Sequence, residues 1–347
     1  MSSQPRRTDR PRRILVAGAA GFIGSHLCER LLANGHRVFG VDNLITGDRQ
    51  NLVHLENNPR FALIEHDIVE PLHMNVQLDW VMHLASPASP PKYLAQPIET
   101  LRANSEGTYQ LLEVARRKGA QFFFTSTSEV YGDPDVHPQH EDYWGHVNPN
   151  GPRSVYDEAK RYGEAITAAY NRKHGVPVRI VRIFNTYGPR MQPDDGRVVV
   201  NFITQVLRGE PITIYGRGSQ TRSFQYIDDL VDGILGLMRA RHFEPVNIGN
   251  PEEHTVLELA RIVQRVLRRE SPLVFCDLPV DDPRQRRPDI SLATRLLGWA
   301  PRVPIEEGLR RTAEYFRERL ALGRRPAVAT PARAARAHIA AAVPRLT

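Results

Sequence analysis

A chain of 347 residues is longer than one average domain, and its 41% hydrophobic and 24% charged residues are the balance of a folded globular protein, which excludes global disorder. No apolar run approaches the roughly 20 residues that span a bilayer, and the arginine-rich start has no signal-peptide pattern, so a cytoplasmic protein with no membrane partner is expected. The net charge of +7 is confined to the ends: residues 1–13 carry +4 and residues 324–347 carry +5, which leaves −2 for everything between, so flexible basic tails over 1–12 and 323–347 and no nucleic-acid partner are expected. Two cysteines, Cys28 and Cys276, are too few for a disulfide framework or a cysteine-built zinc site, and no metal is expected.

In chain order, Ile14–Ala17 is a short apolar run suited to a strand buried on both faces. A glycine turn follows, then a helix with Ile23, Leu27, Leu31 and Leu32 on one side, ending near Gly35. Arg37–Val41 predicts a second strand ending at Asp42, and Phe61–Glu65 and Trp80–Leu84 predict two more. One longer helix carrying Leu101, Leu111, Leu112 and Val114 leads to a strand over Gln121–Thr125. This alternation predicts an α/β fold, a doubly wound parallel sheet over 13–183. Val178–Ile183, Pro211–Tyr215 and helical patterns at 227–240, 255–269 and 306–321 predict a smaller mixed α/β lobe over 184–322, partly interwoven with the first.

Gly18, Gly21 and Gly24 lie between the first strand and its helix. That placement supplies a tight turn, close backbone approach to a pyrophosphate, and the amides of Phe22 and Ile23 at a helix amino terminus. Asp42 closes the second strand 18 positions after Gly24, where a carboxylate accepts from both ribose hydroxyls and repels a 2′-phosphate. NAD is therefore the expected cofactor. Asn43, Thr46 and Gly47 would close around the adenosine ribose; Asp67 and Ile68 would lie near the adenine, although Asp67 also reads as a helix cap. Leu84, Ala85 and Ser86 end the fourth strand, where an open sheet places its ligand.

Thr127, Ser128 and Glu129 follow the fifth strand, and Tyr156 and Lys160 share one helix face at a spacing of four. A tyrosine acting as base at neutral pH needs about 4 kcal/mol of charge stabilisation, which Lys160 and a positive nicotinamide ring would provide. The chain holds four lysines among 46 basic residues, so the retention of Lys160 points to a need for a compact ammonium.

From about Arg13 to about Leu320 these features resemble the extended short-chain dehydrogenase/reductase superfamily. The runs Leu84–Lys92, Ser126–Pro134, Tyr143–Asn148, Ile183–Arg190 and Gly249–His254 resemble the UDP-glucuronate decarboxylase (UDP-xylose synthase) family within it. The resemblance implies that Tyr156 takes the proton of the sugar 4-hydroxyl while NAD accepts the hydride, that the 4-ketone holds the electrons released as carbon dioxide leaves, and that proton and hydride then return to give UDP-xylose. It implies sugar contacts at Thr127, Ser128 and Glu129, with Glu129 assisting decarboxylation or proton handling. Arg286 would lie near the sugar carboxylate or the diphosphate; a guanidinium suits either anion but is a poor proton donor, and a solvated surface arginine is the alternative. Nucleotide binding would fall to Asn185, Val198, Asn201, Tyr215 and Arg222, with Tyr215 stacked on uracil or simply packed in the core. Arg190 would reach the cofactor pyrophosphate and Tyr93 the sugar, while Val199, Phe202 and Ile203 read as helix core. Arg102, Ala103, Thr125 and Ala159 depart from the family pattern. The partner implied is UDP-glucuronate, in a homodimer joined by helices near 97–118 and 156–173. The competing readings are a UDP-sugar 4-epimerase using the same tyrosine, lysine and NAD, and a binding protein that keeps the pocket without turnover.

Overall fold

A computed structural model describes residues 10–278 and 284–323, the side chains of residues 322 and 323 excepted. Most of the two basic tails, and Asp282 and Pro283 of the run that carries Arg286, lie outside the described residues. The first half of the chain runs β1 (Arg13–Ala17), α1 (Phe22–Ala33), β2 (Arg37–Asp42), β3 (Phe61–Glu65), β4 (Trp80–His83), α2 (Pro90–Ala95), α3 (Pro97–Asn104), α4 (Glu106–Lys118), β5 (Gln121–Thr127), α5 (Ser154–His174) and β6 (Val178–Ile183). The second runs β7 (Thr186–Tyr187), α6 (Val198–Arg208), β8 (Ile212–Tyr215), β9 (Thr221–Ser223), β10 (Gln225–Tyr226), α7 (Ile227–Arg239), β11 (Pro245–Ile248), β12 (Glu253–Thr255), α8 (Val256–Leu267), β13 (Leu273–Cys276), β14 (Gln285–Arg286), α9 (Ser291–Leu297) and α10 (Ile305–Gly323).

Seven strands form one parallel sheet in the order β11-β6-β5-β4-β1-β2-β3. Strand periodicity sends Ile14 and Val16 of β1 into one core with α1, α6, α7 and α8, and Leu15 and Ala17 into another with α4 and Tyr170 of α5. Both faces are covered at the sheet centre, so β1 reads as an unbroken apolar run from Ile14 to Ala17 rather than an alternating one. The chain leaves β1 toward β2 and β3, then returns to place β4 on its other side. That reversal opens a crevice at the carboxyl ends of β1 and β4, the place where such sheets bind ligands.

The stretch expected as one helix is two, α3 and α4, separated at Ser105. Local side-chain bonds explain the break: Ser105 Oγ donates to the Leu101 carbonyl at 2.7 Å, and Asn104 Nδ2 reaches both the Thr100 carbonyl and Ser86 Oγ at 2.8 Å. The smaller lobe stacks α6, α8 and α10 with the β8–β13 pair. Residues 227–248 return to the large sheet, α7 packing on its α1 side and β11 forming its edge beside β6.

Candidate active site

At Gly18 the backbone turns through φ +82°, and a Cβ there would lie 2.6 Å from the Ala85 nitrogen, so only glycine lets the turn press against the end of β4. At Gly24 a Cβ would lie 1.9 Å from the Gly18 carbonyl oxygen; this residue seats α1 under the turn. Helix α1 begins at Gly21 with no side-chain cap, which leaves the amides of Phe22 and Ile23 to meet an anion. The Asp42 carboxylate accepts from the amides of Ala20 at 2.8 Å and Leu44 at 2.9 Å, tying the glycine turn to the end of β2. Burial pushes its pKa above the ordinary carboxylate value, and the two amides oppose that push.

Gly18, Gly21, Asp42, Asn43, Thr46, Gly47, Asp67, Ile68, Leu84, Ala85 and Ser86 together line one cleft. Asp67 caps no helix, because only a turn follows it; it accepts from the Val69 amide at 3.1 Å within that turn and from Asn43 Nδ2 at 3.1 Å in the cleft wall. The wall also includes Glu99 and Arg102 of α3, unmarked as cofactor contacts in the sequence, with Arg102 held in a bidentate pair by Glu106. The second lobe closes on the loop after β2: Gln192 Nε2 donates to the Thr46 carbonyl at 3.0 Å, and Arg319 pairs with Asp48. Arg190 stands apart from this cleft wall, beside α1, with its guanidinium on Glu29 and its Nη1 buried without a partner.

At the other end of the crevice, the first turns of α5 bury Tyr156 and Lys160. Lys160 Nζ donates to the Thr125 carbonyl at 2.9 Å and lies 5.8 Å from the centre of the Tyr156 ring. Burial pulls the ammonium down to about 7, against the opposing charge of Glu164. Burial, and then the charge of Glu129, push the phenol of Tyr156 up, while Thr127 and the charge of Arg197 pull it down. Arg197, at the start of α6 and paired with Asp195, is thus a cation that favours the phenolate and that the sequence did not mark. Tyr93 of α2 stacks on Tyr156 with ring centres 5.2 Å apart and planes 4° from parallel.

Glu129 lies between two guanidinium groups: Arg286 Nη1 donates to it at 2.6 Å and Arg153 pairs with its other oxygen. Burial alone would raise its pKa, but Arg286 and Arg153 outweigh burial and hold it at about 2, so Glu129 is ionised at neutral pH and is no proton donor. Arg286 is 4% exposed and its Nε and Nη2 have no partner among the described residues, whereas Arg284 is largely solvated and Arg287 is half-buried. Strand β14 pairs with β9 in the register Arg286↔Arg222, which sets two arginines side by side. Ser128 is buried beside Glu129. Val198 opens α6, Asn201 steadies its first turn through the Gly196 carbonyl, and Asn185 gives its carbonyl to the Gln225 amide. Tyr215 is 43% exposed at the end of β8, a ring face open to a base rather than a core residue. Val199, Phe202 and Ile203 are core, as expected.

The model of the NAD dependent epimerase/dehydratase family matches residues 14–249. The chain belongs to this family. It is 54% identical over 309 residues to UDP-glucuronic acid decarboxylase 1 of Danio rerio, covering 89% of this chain and 73% of that one. It is 52% identical to UDP-glucuronic acid decarboxylase 6 of Arabidopsis thaliana, covering 89% and 90%. Among solved structures it resembles UDP-glucose 4-epimerase of Thermotoga maritima with UDP-glucose (TM-score 0.81, 34% identity, 89% and 99% covered) and UDP-glucuronic acid 4-epimerase of Bacillus cereus with UDP-glucuronic acid and NAD (TM-score 0.78, 32% identity, 88% and 99% covered). An NAD dependent epimerase/dehydratase needs a dinucleotide cleft that meets its acid–base tyrosine. Here the uncapped start of α1, the turn pressed on β4 and the carboxylate of Asp42 fit NAD.

Proposed function

We propose that this protein decarboxylates UDP-glucuronate to UDP-xylose through a 4-keto sugar nucleotide, with NAD regenerated in each cycle. The observation that carries the reading is its 52–54% identity to UDP-glucuronic acid decarboxylases over 89% of the chain, against 32% to the UDP-glucuronic acid 4-epimerase. Held by the glycine turn at Gly18–Gly24 and the carboxylate of Asp42, NAD would supply a reversible acceptor for the hydride of carbon 4. Tyr156 takes the proton of the 4-hydroxyl and later returns it, its charge favoured by Thr127 and Arg197. Lys160, held by the Thr125 carbonyl, fixes the floor beneath that tyrosine. A ketone at carbon 4 is beta to the carboxylate, so the electrons of the breaking carbon–carbon bond pass into it as carbon dioxide leaves. Arg286, with two buried donors to spare, binds the anionic end of the sugar nucleotide, and Glu129 holds Arg286 and Arg153 in place.

The working unit is a homodimer in the cytoplasm. Four large apolar side chains, Ile98 and Leu101 on α3, Tyr109 on α4 and Tyr162 on α5, are exposed together on this helical layer, and a second copy would cover them. The two cysteines are free thiols, as suits a reducing compartment.

Incubation of the purified protein with NAD and UDP-glucuronate tests the reaction, with carbon dioxide and the nucleotide-sugar product followed together. Carbon dioxide with UDP-xylose is the expected result; a UDP-hexuronate isomer without carbon dioxide would turn the reading to 4-epimerase, and no product at all would overturn both.

A further inference from the structure

Asp157 has no part in the chemistry above, yet it directly follows Tyr156 and is 5% exposed. Its Oδ1 is buried with no hydrogen-bond partner among the described residues, an unfavourable state for a carboxylate oxygen, which as an anion gathers donors. The charged and titratable groups facing it come from four elements: Glu129 after β5, Arg153 and Glu158 at the start of α5, Arg286 on β14, and Tyr93 on α2, with Tyr156 beside it on α5. Glu129 already takes a donor from each of the two arginines. With Asp157 neutral, the Glu129–Arg153–Arg286 group carries one positive charge in excess; with Asp157 ionised, the excess is gone.

We propose that Asp157 is a positioning residue that stays a neutral carboxylic acid, so that the Glu129–Arg153–Arg286 group keeps one unbalanced positive charge for the carboxylate of the sugar. This rests on the decarboxylase reading and deepens it: it assigns the preference for an acidic over a neutral UDP-sugar to a charge that is absent. Burial first, then the charge of Glu129, push Asp157 up to about 8, against the pull of Arg153 and Arg286. Above that pH Asp157 ionises and the acidic sugar loses its counter-charge, whereas UDP-xylose, which has no carboxylate, is indifferent.

The test is calorimetric binding of UDP-glucuronate and of UDP-xylose to the NAD-loaded protein carrying Tyr156→Phe, so that no sugar is consumed, with and without Asp157→Asn. The ratio of the two affinities is the readout, because ionisation of the shared uracil cancels. With Asp157 present, the preference for UDP-glucuronate falls on the order of tenfold between about pH 7 and about pH 9.5. With Asp157→Asn it keeps its neutral-pH value and stays flat within about twofold, since asparagine mimics the uncharged acid. A flat ratio with Asp157 present, an unchanged fall in the asparagine variant, or loss of the preference at neutral pH in that variant would each overturn the proposal. The first of these needs no substitution at 157 and stands even if the variant does not fold. Carbon dioxide release by the unsubstituted protein together with a flat ratio sinks the role of Asp157 alone; no carbon dioxide release removes it along with the decarboxylase reading.

Discussion

Arg286 Nη1 donates to Glu129 Oε1 at 2.6 Å across 157 positions of sequence, and the other two nitrogens of that guanidinium are buried with no partner among the described residues. Removing it leaves Glu129 with Arg153 alone and strips the pocket of two donors. Arg286→Ala should lower kcat/KM for carbon dioxide release by about 10²- to 10³-fold, in line with about 3–4 kcal/mol for a broken buried charge pair. Arg286→Lys should recover little, because an ammonium cannot hold Glu129 and a second anion in one plane. Steady-state kinetics of both variants, with melting temperatures as a folding control, decide it.

Tyr156→Phe keeps the ring that stacks on Tyr93 and removes only the hydroxyl. The protein should melt within a few degrees of the parent yet lose about 10³-fold in turnover, the scale of general acid–base catalysis. Equal activity in the two would mean that another group takes the proton.

Lys160 gives a pH signature. Its folded pKa of about 7 lies below its ordinary 10.5, so between those values the unfolded chain binds more protons and stability rises with pH. The destabilisation is complete below about 7 and fades toward 10.5; its full size is on the order of 5 kcal/mol. In cofactor-free protein, Lys160→Met should therefore raise the melting temperature most at pH 6, with the gain shrinking as pH rises to 10. Melting curves across that range would show a pH-independent difference if the ammonium were not buried as described.

Gly18→Ala places a methyl 2.6 Å from the Ala85 nitrogen at φ +82°. Backbone on both sides cannot yield cheaply, so a stability loss of about 1–3 kcal/mol is expected, with weaker NAD binding. Thermal melting without cofactor, followed by NAD titration, separates the two effects.

Ile98→Asp with Leu101→Arg charges two of the side chains exposed on α3. Both are surface positions, so folding should survive while a dimer dissociates; sedimentation velocity on the parent and the double variant reads this directly. A parent that sediments as a monomer would rule the dimer out.

The parts of the site legible in the sequence are those governed by local rules. Gly18, Gly21 and Gly24 stand where a strand turns into a helix, Asp42 ends the next strand, and Tyr156 and Lys160 are four apart on a helix. Each is a spacing that backbone geometry alone converts into a place in space. Even so, the helix expected through 101–114 broke at Ser105, because Ser105 and Asn104 turn their side chains onto backbone carbonyls, a choice that hydrophobic periodicity does not register.

Sequence by itself thus determined the parallel α/β sheet, the cofactor turn and the tyrosine–lysine pair, for all of these follow from period and spacing within short stretches. The family resemblance pointed to Arg286, but tertiary structure alone decided how it is held and brought in Arg153 and Arg197. Of Arg284, Arg286 and Arg287, only Arg286 is drawn inside, by the pairing of β14 with β9, and Arg153 and Arg197 reach Glu129 and Tyr156 from the starts of α5 and α6. Such contacts join positions far apart in the chain, and the charge of a buried group such as Asp157 is set by neighbours that only folding assembles.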